Sequence, residues 1–320
     1  IVQTKNKIWI RRKFLLPENL SNQQLAIRLG IISDRDKTYF NEVLIGSTGI
    51  FGSPIPQSYD KLRVYEIPQY LVQKENTILI EVERFFPEEI GINQDTTAIG
   101  PTLQMQRDKY KEDLFKLVLL SIYATVGFYF LFLFLRRRQE QENLLFALFA
   151  FCVVMYQFMR TQIKYELGVD FILMKKVEYF VFTALIPLFT NFIRTYFKFK
   201  ISKFLTGLNF LSLLVMLFFL VNSDLILFDK INKFFVQPIG FIFIGNLFYF
   251  LICSMKKKNK DAFYIFVVVC IIFISVVIDI LSDRGYFQIT RTFGYTFIFF
   301  ILSIAIILAN KFVRLHKEVE

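Results

Sequence analysis

Long apolar runs fill the second two thirds of the chain. A helix rises about 1.5 Å per residue, so about 20 apolar residues cross a hydrocarbon core about 30 Å thick. Each run is close to that length and is bounded by polar or charged residues. The pattern predicts a transmembrane domain over 113–310, with seven spans at roughly 113–135, 143–163, 171–197, 204–222, 234–255, 261–281 and 288–310.

The first hundred residues follow a different pattern, in which apolar and polar positions alternate over short stretches. Residues 24–31 alternate cleanly, and residues 8–15 and 77–83 are rich in β-formers. Asn41 and Glu42 separate two further β-rich stretches and predict a tight turn. Short strands at this spacing, divided by glycine and proline, are typical of an antiparallel β-sandwich. We predict such a domain over 1–105 and a connector over 106–112.

The end of the chain carries a narrower apolar stripe. Leu308, Phe312, Leu315 and Val319 are spaced by four, three and four residues, as in the seam of a coiled coil. We interpret 311–320 as the start of a cytoplasmic signalling helix in a homodimer; an ordinary amphipathic tail of the seventh helix is the alternative. Because the chain stops within this pattern and does not begin with Met, we interpret it as a fragment or a processed chain.

Charge predicts the orientation of the spans. Residues 113–320 carry nearly all of the net charge of +11. The densest basic clusters follow the first, third, fifth and seventh spans, and such clusters mark cytoplasmic loops. This predicts an integral protein of the inner (plasma) membrane with its amino terminus outside and its carboxyl terminus in the cytoplasm. The basic residues lie between apolar runs, so we expect lipid and not nucleic acid to be their partner.

Composition excludes several classes of protein. With 55% hydrophobic residues and 41 Phe, the chain is neither disordered nor a small disulfide scaffold. Its three cysteines lie in apolar runs without metal-ligand spacing, so we expect no disulfide, metal site or cofactor. Nucleotide-binding, serine-hydrolase and zinc-protease motifs are absent, and we predict no catalytic residue and no enzyme in this chain. An enzymatic effector beyond Glu320 remains open.

Polar loops suggest where the sandwich binds a ligand. One loop supplies Asp34, Asp36 and Lys37, and a second supplies Tyr59 and Asp60. An aromatic ring beside hydrogen-bonding groups suits a sugar. The alternative is that these residues serve as turn formers.

Three charged residues near the predicted outer ends of the spans form a second candidate site. Placing a charged side chain near lipid costs free energy, so such residues indicate a functional site. The three are Arg160, Glu178 and Asp279. We predict that they form a polar cluster coupling the amino-terminal domain to the helices. Snorkelling toward the interface is the alternative.

Two resemblances to known families follow from these stretches. Residues 9–17, 38–46 and 59–68 resemble galactose-binding-like jelly rolls, which occur as sugar-binding domains of glycoside hydrolases, although that family usually has Asn-Gly where this chain has Asn41 and Glu42. Residues 142–149 and 158–168, with 176–180, resemble bacterial seven-transmembrane receptors with diverse intracellular signalling modules. The second resemblance implies a cytoplasmic kinase, cyclase or phosphatase module following the seventh helix.

The combined prediction is a membrane protein with an amino-terminal β-sandwich of jelly-roll type and a seven-helix transmembrane bundle. It would sense an extracytoplasmic sugar, another small molecule or a periplasmic partner protein, and signal to a cytoplasmic effector. The alternative is a membrane transporter or channel with an accessory β-sandwich.

Overall fold

The chain forms two compact units. The computed structural model describes residues 2–3, 6–86, 91–94, 97–283 and 293–317. The first unit comprises Ile1–Phe115 and Gln162–Phe171, and the second comprises Lys116–Thr161 and Ile172–Glu320. A short segment from within the helical part therefore belongs with the amino-terminal domain.

Two antiparallel sheets build the first unit. Within the described residues the strands are β1 (Val2–Gln3), β2 (Lys7–Leu15), β3 (Leu25–Ser33), β4 (Arg35–Phe40), β5 (Val43–Thr48), β6 (Leu62–Ile67), β7 (Glu75–Glu83), β8 (Gly91–Gln94) and β9 (Ala98–Pro101). One sheet has the order β1-β2-β7-β4-β5. The other has the order β6-β3-β8, with β9 also paired to β3.

The core lies between the two sheets. Alternation places Ile78, Ile80 and Val82 of β7 on the inner face, where they are buried with Leu25 and Ile27 of β3. Side chains from both sheets thus share one apolar layer. This arrangement confirms the predicted β-sandwich.

The β4–β5 hairpin forms where the sequence predicts it. Asn41 and Glu42 have φ of 47° and 70°, the positive values that a two-residue hairpin turn requires. Further along β5, a Cβ on Gly46 would lie 2.1 Å from the ring of Tyr65. Glycine here lets that ring lie against β5.

The predicted connector, residues 106–112, is helical and continuous with the first span. Residues before it form β8 and β9, which both pair with β3. Helix α1 then begins at Thr102, so residues 106–112 are its early turns. Short strands that pair with a distant partner leave no clear alternation in the sequence.

The remaining chain is helical. The helices are α1 (Thr102–Arg136), α2 (Gln141–Phe158), α3 (Phe171–Tyr196), α4 (Lys203–Val221), α5 (Leu225–Ile231), α6 (Gln237–Lys256), α7 (Lys260–Asp283) and α8 (Phe293–Lys317). A π-helical turn, Asn232–Val236, joins α5 to α6. The described residues therefore contain seven long helical segments, and each overlaps a predicted span.

Several of these segments are suited to a bilayer by length and composition. Four qualify among the described residues: Thr102–Arg136, Gln141–Phe158, Lys203–Val221 and Leu225–Lys256. A shorter apolar helix covers Thr296–Leu308. The 35 residues of α1 would extend about 52 Å at about 1.5 Å per residue, well beyond a hydrocarbon core.

Phenylalanine rings form the centre of the second unit. Phe146 of α2 lies 5.0 Å from Phe130 of α1 and 5.3 Å from Phe192 of α3. Phe189 of α3 lies 5.0 Å from Phe300 of α8. These contacts tie four helices together through aromatic packing.

Helix α8 runs through most of the predicted carboxyl-terminal stripe. Its backbone is helical to Lys317, and Leu308 is buried. The side chains of Phe312 and Leu315, and the whole of Val319, lie outside the described residues. The homodimeric seam remains a prediction.

Candidate functional site

A buried polar cluster lies at one end of the sandwich. Asp36 points into it from β4 and is fully buried. Its Oδ1 accepts a hydrogen bond from Arg63 Nε at 2.8 Å, and its Oδ2 accepts from Tyr65 Oη at 2.8 Å and from Thr38 Oγ1 at 3.1 Å. Both carboxylate oxygens are therefore occupied by groups of the protein.

Asp34 joins the same cluster. Its Oδ1 accepts from the Ser58 backbone N–H at 3.2 Å, and its carbonyl accepts from Arg63 Nη2 at 2.6 Å. Its Oδ2 lies 3.4 Å from Arg35 Nε. Burial raises the pKa of Asp34 above its ordinary value, and the hydrogen bond from Ser58 and the charges of Arg35 and Arg63 oppose that rise only in part.

Arg35 and Arg63 connect the loop that follows β5 to the sheet through hydrogen bonds. Arg35 donates through Nη1 to Glu83 Oε2 at 2.9 Å and through Nη2 to the carbonyl oxygens of Ser53 and Ile55, at 2.5 and 2.9 Å. Arg63 donates to the Ser58 carbonyl at 2.8 Å. Residues 49–61, called here the β5–β6 loop, are thus held by charged groups inside the domain.

A connector between two helices is bound to this loop. Asp60 accepts a hydrogen bond from Lys164 Nζ at 2.6 Å and a short one from Tyr165 Oη. Gln162 completes the contact, since its Nε2 donates to the Asp60 carbonyl at 3.0 Å and its Oε1 accepts from the Leu62 N–H at 2.8 Å. We call Asp60, Gln162, Lys164 and Tyr165 the Asp60 junction.

The local backbone explains how the connector presents these groups. A 3-10 helix over Ile163–Leu167 places Lys164 and Tyr165 side by side, and Gly168, with φ of 64°, ends it in a left-handed conformation. The Lys164 side chain is only 3% exposed. Burial and the negative charge of Asp60 raise the pKa of Tyr165 far above its ordinary value, so the phenol stays a hydrogen-bond donor.

Two further ion pairs, one of them from the buried Arg28, connect the first turns of α1 to the rest of the same unit. Arg28 of β3 donates through Nη2 to both carboxylate oxygens of Glu112, at 3.1 and 3.2 Å. Lys109 Nζ lies 3.7 Å from Glu166 Oε1 in the connector. The β-sandwich therefore contacts the start of α1 and the α2–α3 connector.

The structure keeps two of the five residues predicted to bind a ligand in one cluster and gives the other three different contacts. Asp34 and Asp36 are buried and bonded to Arg63. Lys37 lies on the opposite face of β4, with its Nζ 4.8 Å from the Phe51 ring centroid. Tyr59 packs edge-on against Phe86 with ring centroids 4.9 Å apart. Ligand binding by these residues stays a prediction.

The predicted coupling cluster is described in part. Arg160 Nε lies 3.5 Å from Glu178 Oε1, and Lys175 Nζ lies 2.8 Å from Glu178 Oε2. Lys175 was not expected from the sequence. Asp279 lies on α7, but its side chain is outside the described residues. The role of this cluster in coupling stays a prediction.

Sequence reasoning also missed the partners of Asp60. Gln162, Lys164 and Tyr165 lie in a short polar connector, and no periodicity or motif spacing singles them out. The family resemblance covers residues 158–168, which contain all three, but it assigns them no partner. Their partner lies about a hundred residues away in the chain.

No metal centre is visible in the described part of the chain. It contains no group of three or more His, Cys, Asp or Glu side chains arranged to hold an ion. Cys152, Cys253 and Cys270 are free thiols.

Comparison with known proteins bears mainly on the helical part. The family model for 7TM diverse intracellular signalling matches residues 112–311. No curated protein matches the chain.

Solved structures match part of the chain at low identity. A β-glucuronidase from Bacteroides uniformis is 18% identical with a TM-score of 0.25, over 30% of this chain and 12% of the enzyme. A calcium-binding mutant of B. uniformis β-glucuronidase 2 is 17% identical with a TM-score of 0.21, over 29% and 10%. A β-glycosidase from Bacteroides vulgatus is 18% identical with a TM-score of 0.24, over 30% and 12%. The chain thus spans only a small part of each enzyme's length.

Proposed function

Because the chain belongs to the 7TM diverse intracellular signalling family, we propose that it is a transmembrane receptor whose β-sandwich senses a ligand outside the cell. A carbohydrate is the ligand class we favour, and the signal leaves through α8 to a cytoplasmic effector. The amino-terminal domain lies outside, and the carboxyl terminus lies in the cytoplasm. In this proposal the chain carries the sensor and the membrane domain but performs no catalysis.

The Asp60 junction is the observation that supports this proposal. The β5–β6 loop is fixed to the sheet by buried arginines, so it moves with the domain. Asp60 of that loop holds Lys164 and Tyr165 through charge-assisted hydrogen bonds. The connector continues directly into α2 on one side and α3 on the other. A displacement of the loop is therefore passed along the chain to two spans.

In this proposal the signal is a shift in the populations of two arrangements of the transmembrane helices. A ligand that binds one arrangement more tightly raises its population, and only its differential affinity drives the change. Coupling free energies of about 1–3 kcal/mol are typical of such linkage. Because α8 shares an aromatic core with α2 and α3, a rearrangement of these helices alters its packing.

The outer face of the five-stranded sheet supports the choice of ligand class. Trp9 of β2 and Lys37 of β4 both pair with Glu81 of β7, which puts all three side chains on the face opposite the core. Phe51 lies beside them, within 5.1 Å of the ammonium of Lys7. Aromatic rings next to charged and hydrogen-bonding groups are suited to a sugar, which offers both apolar C–H faces and hydroxyl groups.

The test uses the full chain in lipid nanodiscs. Carbohydrates are screened by glycan array, and a spin-label pair on α8 of a dimer, in a background without the three native cysteines, reports helix movement. We expect Asp60→Ala to bind a carbohydrate hit as the parent does but to lose the change in label distance. Glu166→Gln, in the same connector but largely exposed, should keep both.

Two results would count against the proposal. If Asp60→Ala gives the same distance change as the parent, the junction does not transmit the signal. If no carbohydrate binds, the ligand class is wrong, and the same labels can then be used to screen periplasmic proteins.

A further inference from the structure

A cavity of about 390 Å³ lies at the end of the second unit where α1 ends, α2 begins and α3 ends. It combines two cations, two amides and an apolar wall, and plays no part in the proposed sensing. Its lining residues are Phe134, Arg138, Gln141, Leu144, Asn191 and Arg194, together with Leu145.

Arg194 enters the cavity without a negative partner. Its guanidinium donates only to neutral acceptors: Asn191 Oδ1 at 3.4 Å, the Phe199 carbonyl at 3.1 Å and Thr195 Oγ1 at 3.1 Å. None of the described carboxylates pairs with it. A half-buried cation without an anion is costly, and an anionic ligand would relieve that cost.

Arg138 supplies a second cation at the mouth of the same cavity. Its side chain is exposed, and no described carboxylate pairs with it either. The nearby Glu140 is already engaged by Arg137 at 3.3 Å and by Asn143 at 2.9 Å. Two guanidinium groups facing one space are suited to a phosphate, which planar N–H forks bind in a bidentate manner.

The apolar wall indicates that the anion has a hydrocarbon part. Phe134, Leu144 and Leu145 line the cavity next to the arginines. The site lies at helix ends, where phospholipid headgroups meet the hydrocarbon region, and basic pockets between transmembrane helices at that level bind anionic headgroups. Free phosphate would gain nothing from the apolar wall.

We propose that this cavity binds an anionic phospholipid. The phosphate lies between Arg138 and Arg194, with Gln141 and Asn191 as further polar contacts, and the start of an acyl chain packs on Phe134 and Leu145. Because the lipid would contact α1, α2 and α3 together, its binding stabilises one packing of these helices.

The test compares three probes on the purified full chain in neutral detergent, by isothermal titration calorimetry. The probes are dioctanoyl phosphatidylglycerol, dioctanoyl phosphatidylcholine and inorganic phosphate. We expect only the first to bind well, and Arg138→Gln and Arg194→Gln each to weaken its binding by about tenfold. Arg136→Gln is the matched control, because Arg136 is exposed at the same helix end but stacks on Phe132 at 5.4 Å outside the cavity.

Several outcomes would overturn the proposal. Equal binding of phosphatidylcholine would show that the arginines do not select the headgroup, and equal binding of phosphate would show a simple anion site. A loss with Arg136→Gln as large as with the cavity variants would show non-specific surface charge. If Arg194→Gln does not fold, Arg138→Gln decides, since its exposed side chain is not needed for packing; unchanged binding then refutes the site.

Discussion

At the scale of residues, the sandwich depends on charges placed where water cannot reach them. Arg63 is fully buried, and Arg35 is almost so, yet each has a carboxylate within 2.9 Å. Removing one partner of such a pair leaves an uncompensated buried charge, at a cost of about 3–5 kcal/mol. The sequence placed Arg35 in a predicted polar loop and Arg63 in a predicted strand, and neither position indicated that its side chain is buried and holds the β5–β6 loop.

Glu83 makes part of this stability dependent on pH. Burial alone would raise its pKa, but the hydrogen bonds from the Gly52 N–H and Arg35, with the charges of Arg35 and Lys7, bring the pKa below its ordinary value of 4.5. A carboxyl group with a lowered folded-state pKa stabilises the fold above its unfolded-state pKa, and this contribution is lost as pH falls through the folded-state pKa.

We therefore expect Glu83→Gln to be less stable than the parent by about 1–2 kcal/mol near neutral pH, with the difference shrinking below pH 4.5. Urea unfolding of the full chain can be followed by the fluorescence of Trp9, the single tryptophan, which lies in the sandwich. A stability difference that stays constant down to pH 3 would show that the charge of Glu83 does not stabilise the fold.

At the scale of elements, the α2–α3 connector is structurally part of the domain on which it lies. Its 3-10 helix has few residues and would not be stable alone, since short helices gain little in water. Contacts with the sandwich hold the connector in place. Asp60 binds Lys164 and Tyr165, and the Gln162 side chain accepts the hydrogen bond of the Leu62 N–H. The conformation of the connector therefore depends on its contacts with the sandwich more than on the helix propensity of its own residues.

A double-mutant cycle on Asp60 and Lys164 measures this dependence. We expect Asp60→Asn and Lys164→Met each to destabilise the sandwich by about 2–4 kcal/mol, and the double variant by clearly less than the sum, because the Lys164 side chain is only 3% exposed. The same cycle on Lys109 and Glu166, whose side chains are 37% and 68% exposed, should give a coupling below about 1 kcal/mol. Additive destabilisation by the Asp60 and Lys164 substitutions would show that the two side chains are not strongly coupled.

At the scale of the whole molecule, the proposed function depends on an odd number of spans between the β-sandwich and the carboxyl terminus. Under the proposed topology, seven spans would put the β-sandwich and the end of α8 on opposite sides of the membrane, as signalling across it requires. The basic clusters at Arg136–Arg138 and Lys256–Lys258 predict the orientation, because basic residues are enriched in cytoplasmic loops.

The topology can be checked on intact cells. With a tag at each end of the chain, a membrane-impermeant reagent should label the amino-terminal tag at once and the carboxyl-terminal tag only after permeabilisation. Equal labelling of both ends before permeabilisation would exclude the odd number of spans. Labelling of only the carboxyl-terminal tag would reverse the proposed orientation.

The sequence alone determined the long helices and most of the longer strands of this protein. Alternating residues in 24–31 and 77–83 predicted strands, and runs of about 20 apolar residues predicted the spans, because burial against a core or lipid imposes a local period on the chain. The family resemblance in the helical part followed from the same stretches. Asn41 and Glu42 likewise predicted a turn that the backbone adopts.

Only the tertiary structure decided which polar residues meet. Asp36 finds Arg63 across 27 positions, and Lys164 finds Asp60 across 104. Strands β8 and β9 became recognisable only through their pairing with β3. Arg138 and Arg194 share a cavity only because the ends of three helices meet there. Local periodicity indicates whether a residue is buried, but the partner of a charged side chain depends on which distant segments the fold brings together, and no local pattern reveals that.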